Sequence, residues 1–315
     1  MTQIRHVIGE GLAPPGAGSG AAAAFTGLFR SVLARQVEYS VGDAPDRMTT
    51  MIPLAGDEVS AQLAVLAAAL PFGGEWSWAI PRFIRAVRPD AFLLRLDWEG
   101  SVARAVTLYC RFPVEPDDAA LQAAMRHARP FRWQAPAPSA LAGALGVPGP
   151  RGIALRASAD GSRQTALYFK SALHVGADWD DRLVTLLSAC GWNADLAPTI
   201  ARDLRPLYRP GPLGVVGIDD TARVLKFDPA EVPLADALAF LSRRRVAPER
   251  LAALRSLAQG LRADSASYVG VQYDASGFAG WRLYFACEPA RARRPGLASS
   301  QTQRQLHPMR RGPHY

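Results

Sequence analysis

A strand laid along residues 165–170 puts Thr165, Leu167 and Phe169 on one face and Ala166, Tyr168 and Lys170 on the other, because side chains alternate across an extended chain. One face is apolar and the other carries a phenol and a cation. That is neither a fully buried strand nor one with a plain solvated side. The same division returns at 281–286, where Trp281, Leu283 and Phe285 oppose Arg282, Tyr284 and Ala286. It returns again at 106–112, where Val106, Leu108, Cys110 and Phe112 oppose Thr107, Tyr109 and Arg111, and in a shorter form at 224–227. Each of these segments is the second arm of a hairpin, so the pattern is a repeat, with five hairpins spaced by roughly 55–60 residues.

The hairpins are 36–41 with 47–52, 92–98 with 103–112, 153–157 with 164–171, 213–218 with 223–227, and 268–273 with 281–286. Gly, Asp and Pro at the turns reverse the chain. Helices are expected between them at 57–70, 80–87, 119–126, 139–145, 178–189, 196–204, 234–243 and 248–261, with Asp178 as an N-cap and an Ala-rich helix at 21–35 ahead of the first hairpin. Residues 1–20 read as a flexible leader, 21–289 as one barrel domain, and 290–315 as a disordered basic tail rich in Gly, Pro, Ser and Gln. The expected fold class is α+β: ten antiparallel strands, as five hairpins surrounded by helix pairs, closed into a barrel. Closure removes the exposed edges that an open sheet of this width would leave.

The formal net charge of +8 invites a nucleic-acid reading. Much of the excess, however, lies in the tail, which holds Arg291, Arg293, Arg294, Arg304, Arg310 and Arg311 and no acid. No apolar run approaches the ~18 residues that cross a membrane, and the N-terminus lacks the apolar core of a secretory signal. Cys110, Cys190 and Cys287 are odd in number and lack metal-ligand spacing, which fits reduced thiols in a cytoplasmic protein.

If the apolar face of each strand meets the helices, parity alone assigns the lining face. It holds Glu38, Arg47, Thr49, Arg95, Asp97, Tyr109, Arg111, Arg156, Tyr168, Lys170, Lys226, Tyr268, Gln272, Arg282 and Tyr284. A packed barrel core would be Val, Ile and Leu; this is a polar, aromatic chamber with an excess of cations. Charges held inside protein must be solvated, paired or neutralised by a ligand, so the expected ligand is an anion with an apolar part for the tyrosines to cover. Taken singly, each cation reads more readily as a solvated strand-end charge and each Tyr as a common strand former than as a ligand contact. Agreement across strands gives the set its weight. The strand at 213–218 is apolar on both faces and fits either orientation. Other chemistries lack their signatures. There is no P-loop, dinucleotide glycine pattern or His-Glu-x-x-His, and no Ser or Cys triad. The pairs Asp117/Asp118, Asp180/Asp181 and Asp219/Asp220 read as caps and turns rather than metal ligands.

Five helix-pair/hairpin units with Leu-Tyr-Phe or similar return strands resemble the ABBA-type aromatic prenyltransferases. Residues 36–40, Arg47, Tyr168, Lys170 and 281–285 are similar to the pattern of the cyanobactin-type peptide prenyltransferases within them, and the resemblance covers about residues 21–288. It implies transfer of a dimethylallyl (or geranyl) group from its diphosphate to a side chain or terminus of a ribosomal peptide. It implies diphosphate contacts from Arg47, Arg111, Lys170, Lys226 and Arg282, shielding of the allyl cation by Tyr109, Tyr168, Tyr268 and Tyr284, and Glu38 as the group that accepts a proton from the acceptor or orients it. For Glu38, pairing with a neighbouring Arg is an equal alternative. Mg²⁺ bridging the diphosphate is an expected helper, with no dedicated ligand set in the sequence. One departure stands out: Thr107 occupies a position in the second hairpin where a further cation is expected, with Arg95, Arg104 or Arg111 as substitutes. Two other readings stand beside this one. The first keeps the fold and donor but takes a small phenol or indole acceptor. The second is a non-catalytic basic binding protein with outward cations among aromatics. The leading reading needs neither nucleic acid nor membrane as a partner.

Overall fold

The computed structural model describes residues 37–43, 47–54, 59, 61, 63–64, 79–99, 102–129, 131–171, 178–208 and 214–287. The leader at 1–20, the helix at 21–35, most of the helix at 57–70 and the tail at 290–315 lie outside the described residues, as do the side chains of Glu38, Arg47 and Cys287.

The strands are β1 Val37–Gly42, β2 Arg47–Leu54, β3 Ala91–Glu99, β4 Val102–Arg111, β5 Gly152–Ser158, β6 Arg163–Ser171, β7 Gly214–Asp219, β8 Leu225–Asp228, β9 Ala230–Pro233, β10 Ser265–Asp274 and β11 Gly277–Cys287. Antiparallel pairing runs from β1 to β8 in order and continues through β10 to β11. β11 then pairs with β1, Val37 lying opposite Cys287 and Gly42 opposite Arg282, and this closes the ring. Ten strands thus form the wall. The eleventh, β9, was not expected from the sequence. It follows β8 after one residue and pairs with the start of β10, Pro233 opposite Ser265.

Helices α1 Ala79–Val87, α2 Asp118–His127, α3 Pro138–Leu145, α4 Trp179–Ala189, α5 Ala197–Leu204, α6 Leu234–Arg243 and α7 Pro248–Leu261 jacket the barrel. They pack in neighbouring pairs, α1 with α2, α3 with α4, α4 with α5 and α6 with α7. The core lies between this jacket and the outer face of the sheet. Leu167, Phe169, Leu283 and Phe285 are fully buried there, as are Leu183, Leu186 and Leu187 at helical spacing on α4. Burying each such side chain contributes about 1.5–3 kcal/mol. The ambiguous strand β7 is resolved by this packing, since Val216 and Ile218 join the core and Val215 and Gly217 take the inner face.

Two of the three acidic pairs act as caps and turns, whereas Asp180 of the third sits in the first turn of α4 and accepts from Arg205 at 2.8 Å. Asp117 caps α2 by accepting from the Ala120 amide at 2.7 Å, and Asp118 accepts from the Ser139 amide and hydroxyl, tying α2 to α3. Asp219 accepts from the Val224 amide at 2.8 Å and shapes the β7–β8 turn. Asp178 stands at the N-cap position of α4, but its carboxylate makes no capping bond; it is drawn to Arg182 one turn on, at 2.6 Å.

Candidate active site

The lumen gathers two groups of side chains. The first centres on Asp97, on β3 beside a bulge where β3 and β4 change register. Thr49 Oγ1 donates to Asp97 Oδ1 at 2.8 Å and Arg95 Nε to the same oxygen at 2.7 Å. Arg156 donates to Oδ2 from β5, and Arg282 Nη1 lies 3.7 Å from Oδ1. Arg282 also donates to Ser40 Oγ at 3.2 Å and to Thr49 Oγ1. Burial would raise the Asp97 pKa, but the guanidinium groups of Arg95, Arg156 and Arg282 outweigh it and hold the carboxyl well below the usual range. The pKa of Arg282 is lowered, by burial first and by Arg95 next. One carboxylate shared among three guanidiniums leaves positive charge uncompensated, the electrostatic condition for binding an anion.

The second group is a layer of phenols. Tyr109 and Tyr168 lie 5.5 Å apart between ring centroids, and Tyr268 and Tyr284 6.4 Å apart with rings edge to face. Arg95 Nη1 donates to Tyr109 Oη at 3.2 Å and joins the two groups. Lys226 Nζ lies 2.8 Å from Tyr284 Oη and 2.9 Å from Asp228 Oδ2. Burial raises the phenol pKa of Tyr168 far above its usual value. That of Tyr109 falls despite its burial, because Arg95 and Lys226 favour its anion. Two glycines make room: a Cβ on Gly217 would stand 2.9 Å from Tyr168 Cε1, and one on Gly270 would stand 2.9 Å from Asp228 Oδ1.

A cavity of about 430 Å³ opens at the hairpin-turn end of the barrel. Thr49, Asp97, Arg156, Arg282, Arg104 and Ser158 are among its lining residues, so the Asp97 group is reached from solvent there. A second concavity, of about 570 Å³, lies on the jacket between α1 and α2, lined by Arg82, Arg85, Ala86 and His127. Among the described residues its lining includes no aromatic side chain for stacking beyond His127, and Phe83 of α1 is buried.

Lys226, Arg282, Tyr109, Tyr168, Tyr268 and Tyr284 therefore meet in one chamber. Arg111 and Lys170 do not join them. Both stand at the helix-side ends of their strands with exposed side chains, and Arg111 is clamped by Asp90 through bonds of 2.7 and 3.0 Å. Parity puts them on the same strand face as Tyr109 and Tyr168, but their place at the strand ends leaves them outside the chamber. Glu38 is opposite Met51 and Ala286 in the ladder, and Arg47 opposite Glu99. The Thr107 departure has a structural counterpart, because its strand neighbours in register are Arg95 on β3 and Arg156 on β5. Arg95 thus stands where a substitute was expected, and Arg156 adds a second cation. Arg104 pairs with Glu99 at the rim at 2.6 Å. Asp228 was missed because the sequence reading ended its strand at Phe227. One more residue of alternation places it on the same face as Lys226.

Among the described residues no group of three His, Cys, Asp or Glu side chains could hold a metal ion, and no helix is long and apolar enough to cross a membrane. Cys110 is buried, which pushes its thiol pKa up; that of Cys190 is pushed up to about 12 by burial and Asp219. Neither supplies a thiolate at neutral pH.

No protein-family model and no curated protein matches the chain. Solved structures do. 5-Dimethylallyltryptophan synthase from Streptomyces coelicolor aligns with a TM-score of 0.54 at 14% identity, over 88% of this chain and 94% of that one. NotF, solved in complex with brevianamide F and DMSPP, aligns with a TM-score of 0.61 at 13% identity, over 87% and 90%. AnaPT from Neosartorya fischeri aligns with a TM-score of 0.53 at 13% identity, over 90% and 84%. The described part of the chain thus has the ABBA prenyltransferase fold.

Proposed function

We propose that this chain transfers a dimethylallyl group from its diphosphate to an electron-rich aromatic ring, with indoles as the first acceptors. The observation that carries this is the juxtaposition, inside one closed barrel, of four cations and four tyrosines. Arg95, Arg156, Arg282 and Lys226 take the diphosphate, with Arg47 added from the hairpin end of β2. As the donor C–O bond breaks, both electrons leave with the diphosphate, and the charge-assisted hydrogen bonds strengthen as negative charge develops. Tyr109, Tyr168, Tyr268 and Tyr284 face the allyl cation, stabilise it through their π systems and keep water from it. The acceptor ring supplies the electron pair of the new C–C bond. The proton it sheds passes to Glu38, which stands on β1 two residues from the lumen residue Ser40. Among the described residues no carboxylate set would hold Mg²⁺, so the ion would come with the diphosphate and would supply extra positive charge beside Arg95, Arg156, Arg282 and Lys226; EDTA is therefore expected to slow transfer rather than abolish it.

The likeness in fold to enzymes named for tryptophan, and to a complex holding brevianamide F and a prenyl diphosphate analogue, supports the indole acceptor. A second reading keeps the peptide acceptor expected from the sequence. It is supported by the short residues Thr49, Ser158 and Ala159 in the wall of the hairpin-end cavity. A transfer screen of free indole amino acids against cyclic peptides, each with dimethylallyl and geranyl diphosphate, separates the two.

The first test is calorimetric titration with dimethylallyl thiolodiphosphate. Wild type is expected to bind, Arg282→Ala to lose roughly 10–100-fold through one charge-assisted contact, and Lys170→Ala to bind like wild type. Absence of binding to wild type, with acceptors and Mg²⁺ present, would overturn the reading.

A further inference from the structure

The Lys226–Asp228 pair poses a problem for a chamber that must hold a carbocation. Lys226 Nζ lies 4.8 Å from the centre of the Tyr284 ring, a ring assigned above to the allyl cation. Two like charges in a water-poor chamber repel strongly. Lys226 is nevertheless held there by Asp228 Oδ2 at 2.9 Å and Tyr284 Oη at 2.8 Å. Stability alone is a poor reason for the pair, since a buried ion pair is commonly no better than an apolar replacement.

Asp228 has a second oddity. Its other oxygen, Oδ1, is buried and makes no hydrogen bond among the described residues, whereas buried carboxylate oxygens are normally partnered. That oxygen stands over Gly270, where any Cβ would crowd it at 2.9 Å and would also meet Lys226 Cε at 3.0 Å and Tyr284 Cε2 at 3.2 Å. The glycine thus keeps open the room that this arrangement needs. The carboxylate's field reaches Tyr168, Tyr208 and Tyr284, adding to the burial that raises their phenol pKa values. The ammonium's field has the opposite sense at Tyr109 and Tyr284.

We propose that Asp228 is a positioning residue for prenyl transfer: it anchors Lys226 for the diphosphate and cancels its charge within the tyrosine layer, so that ionisation of the donor is not opposed there. This rests on the prenyl-transfer reading. The carboxylate does not touch the reacting atoms. It removes a cost that the allyl carbon would otherwise meet as its bond to the diphosphate oxygen breaks and the electron pair departs.

The test measures, in the full chain, the Kd for dimethylallyl thiolodiphosphate and the kcat for transfer to an indole acceptor. The variants are Asp228→Asn, Lys226→Met and the two combined. Asp228→Asn adds one net positive charge to the chamber, so it is expected to bind the analogue roughly 3–10-fold more tightly while kcat falls roughly 10–100-fold. The double variant, which leaves no unpaired buried charge, is expected to recover kcat to the level of Lys226→Met alone. Parallel losses of binding and kcat in Asp228→Asn, without recovery in the double variant, would mark a merely structural role and overturn the proposal. Unchanged binding and kcat would overturn it too. A wild type that neither binds the analogue nor transfers the prenyl group would instead sink the prenyl-transfer reading, and this proposal with it.

Discussion

At the scale of the residue, Asp97 is the hinge of the site's electrostatics. Its carboxyl is held below its ordinary value, so ionised Asp97 favours the folded state above the unfolded carboxylate pKa of about 4. That contribution is lost as pH falls through the lower folded value. Asp97→Asn leaves three guanidiniums without their shared partner and is expected to destabilise by about 3–5 kcal/mol at neutral pH. Denaturant melts of both proteins should show the gap constant from pH 7 to about 5 and narrowing toward pH 2. A gap independent of pH would mean that Asp97 is not the anion at the centre of the cluster. Gly217 makes the complementary point about shape. Gly217→Ala puts a Cβ 2.9 Å from the Tyr168 ring. It is expected to displace that ring and slow transfer at least tenfold, by analogy with small misplacements in other active sites, while the melting curve changes little. Steady-state turnover beside thermal melting checks it.

At the scale of the element, the strands were legible because their two faces differ in chemistry, and the helices because their punctuation is local. Helices α6 and α7 begin and end at the residues the sequence indicated, 234–243 and 248–261. Caps were only partly legible. A carboxylate before a helix can turn to the backbone or to a cation one turn on, and the choice depends on what stands at the fourth helical position. Asp117 has Leu121 there and bonds the backbone, whereas Asp178 has Arg182 and bonds the guanidinium. Asp117→Ala is therefore expected to cost about 1 kcal/mol and Asp178→Ala distinctly less, as chemical denaturation of the two variants would show. β9 went unseen because four residues with no run of alternation carry no periodic signal; only pairing with the start of β10 makes them a strand.

At the scale of the whole molecule, closure of the ring brings Arg95, Asp97, Arg156, Lys226, Arg282 and the four tyrosines into one chamber, and the chamber sets the +8 charge in context. The cations that matter are enclosed, and the described residues of the site end with β11. A chain stopping at residue 289 lacks the basic tail and is expected to bind the thiolodiphosphate as the full chain does, by titration of both. A large loss would move the anion site into the tail and favour the basic-binding-protein reading. The sequence by itself determined the hairpin repeat and the apolar and lining faces, with Tyr109, Tyr168, Tyr268, Tyr284, Lys226 and Arg282 on the lining one, because each follows from local turns and a period of two. Only the tertiary structure decided the rest. It carried Arg111 and Lys170 to the exposed end, set Arg95 and Arg156 on either side of Thr107, and folded three guanidiniums onto Asp97. Those outcomes depend on register and on height along the barrel axis, which are fixed by pairing between strands far apart in the chain, and alternation along a single strand holds no information about either.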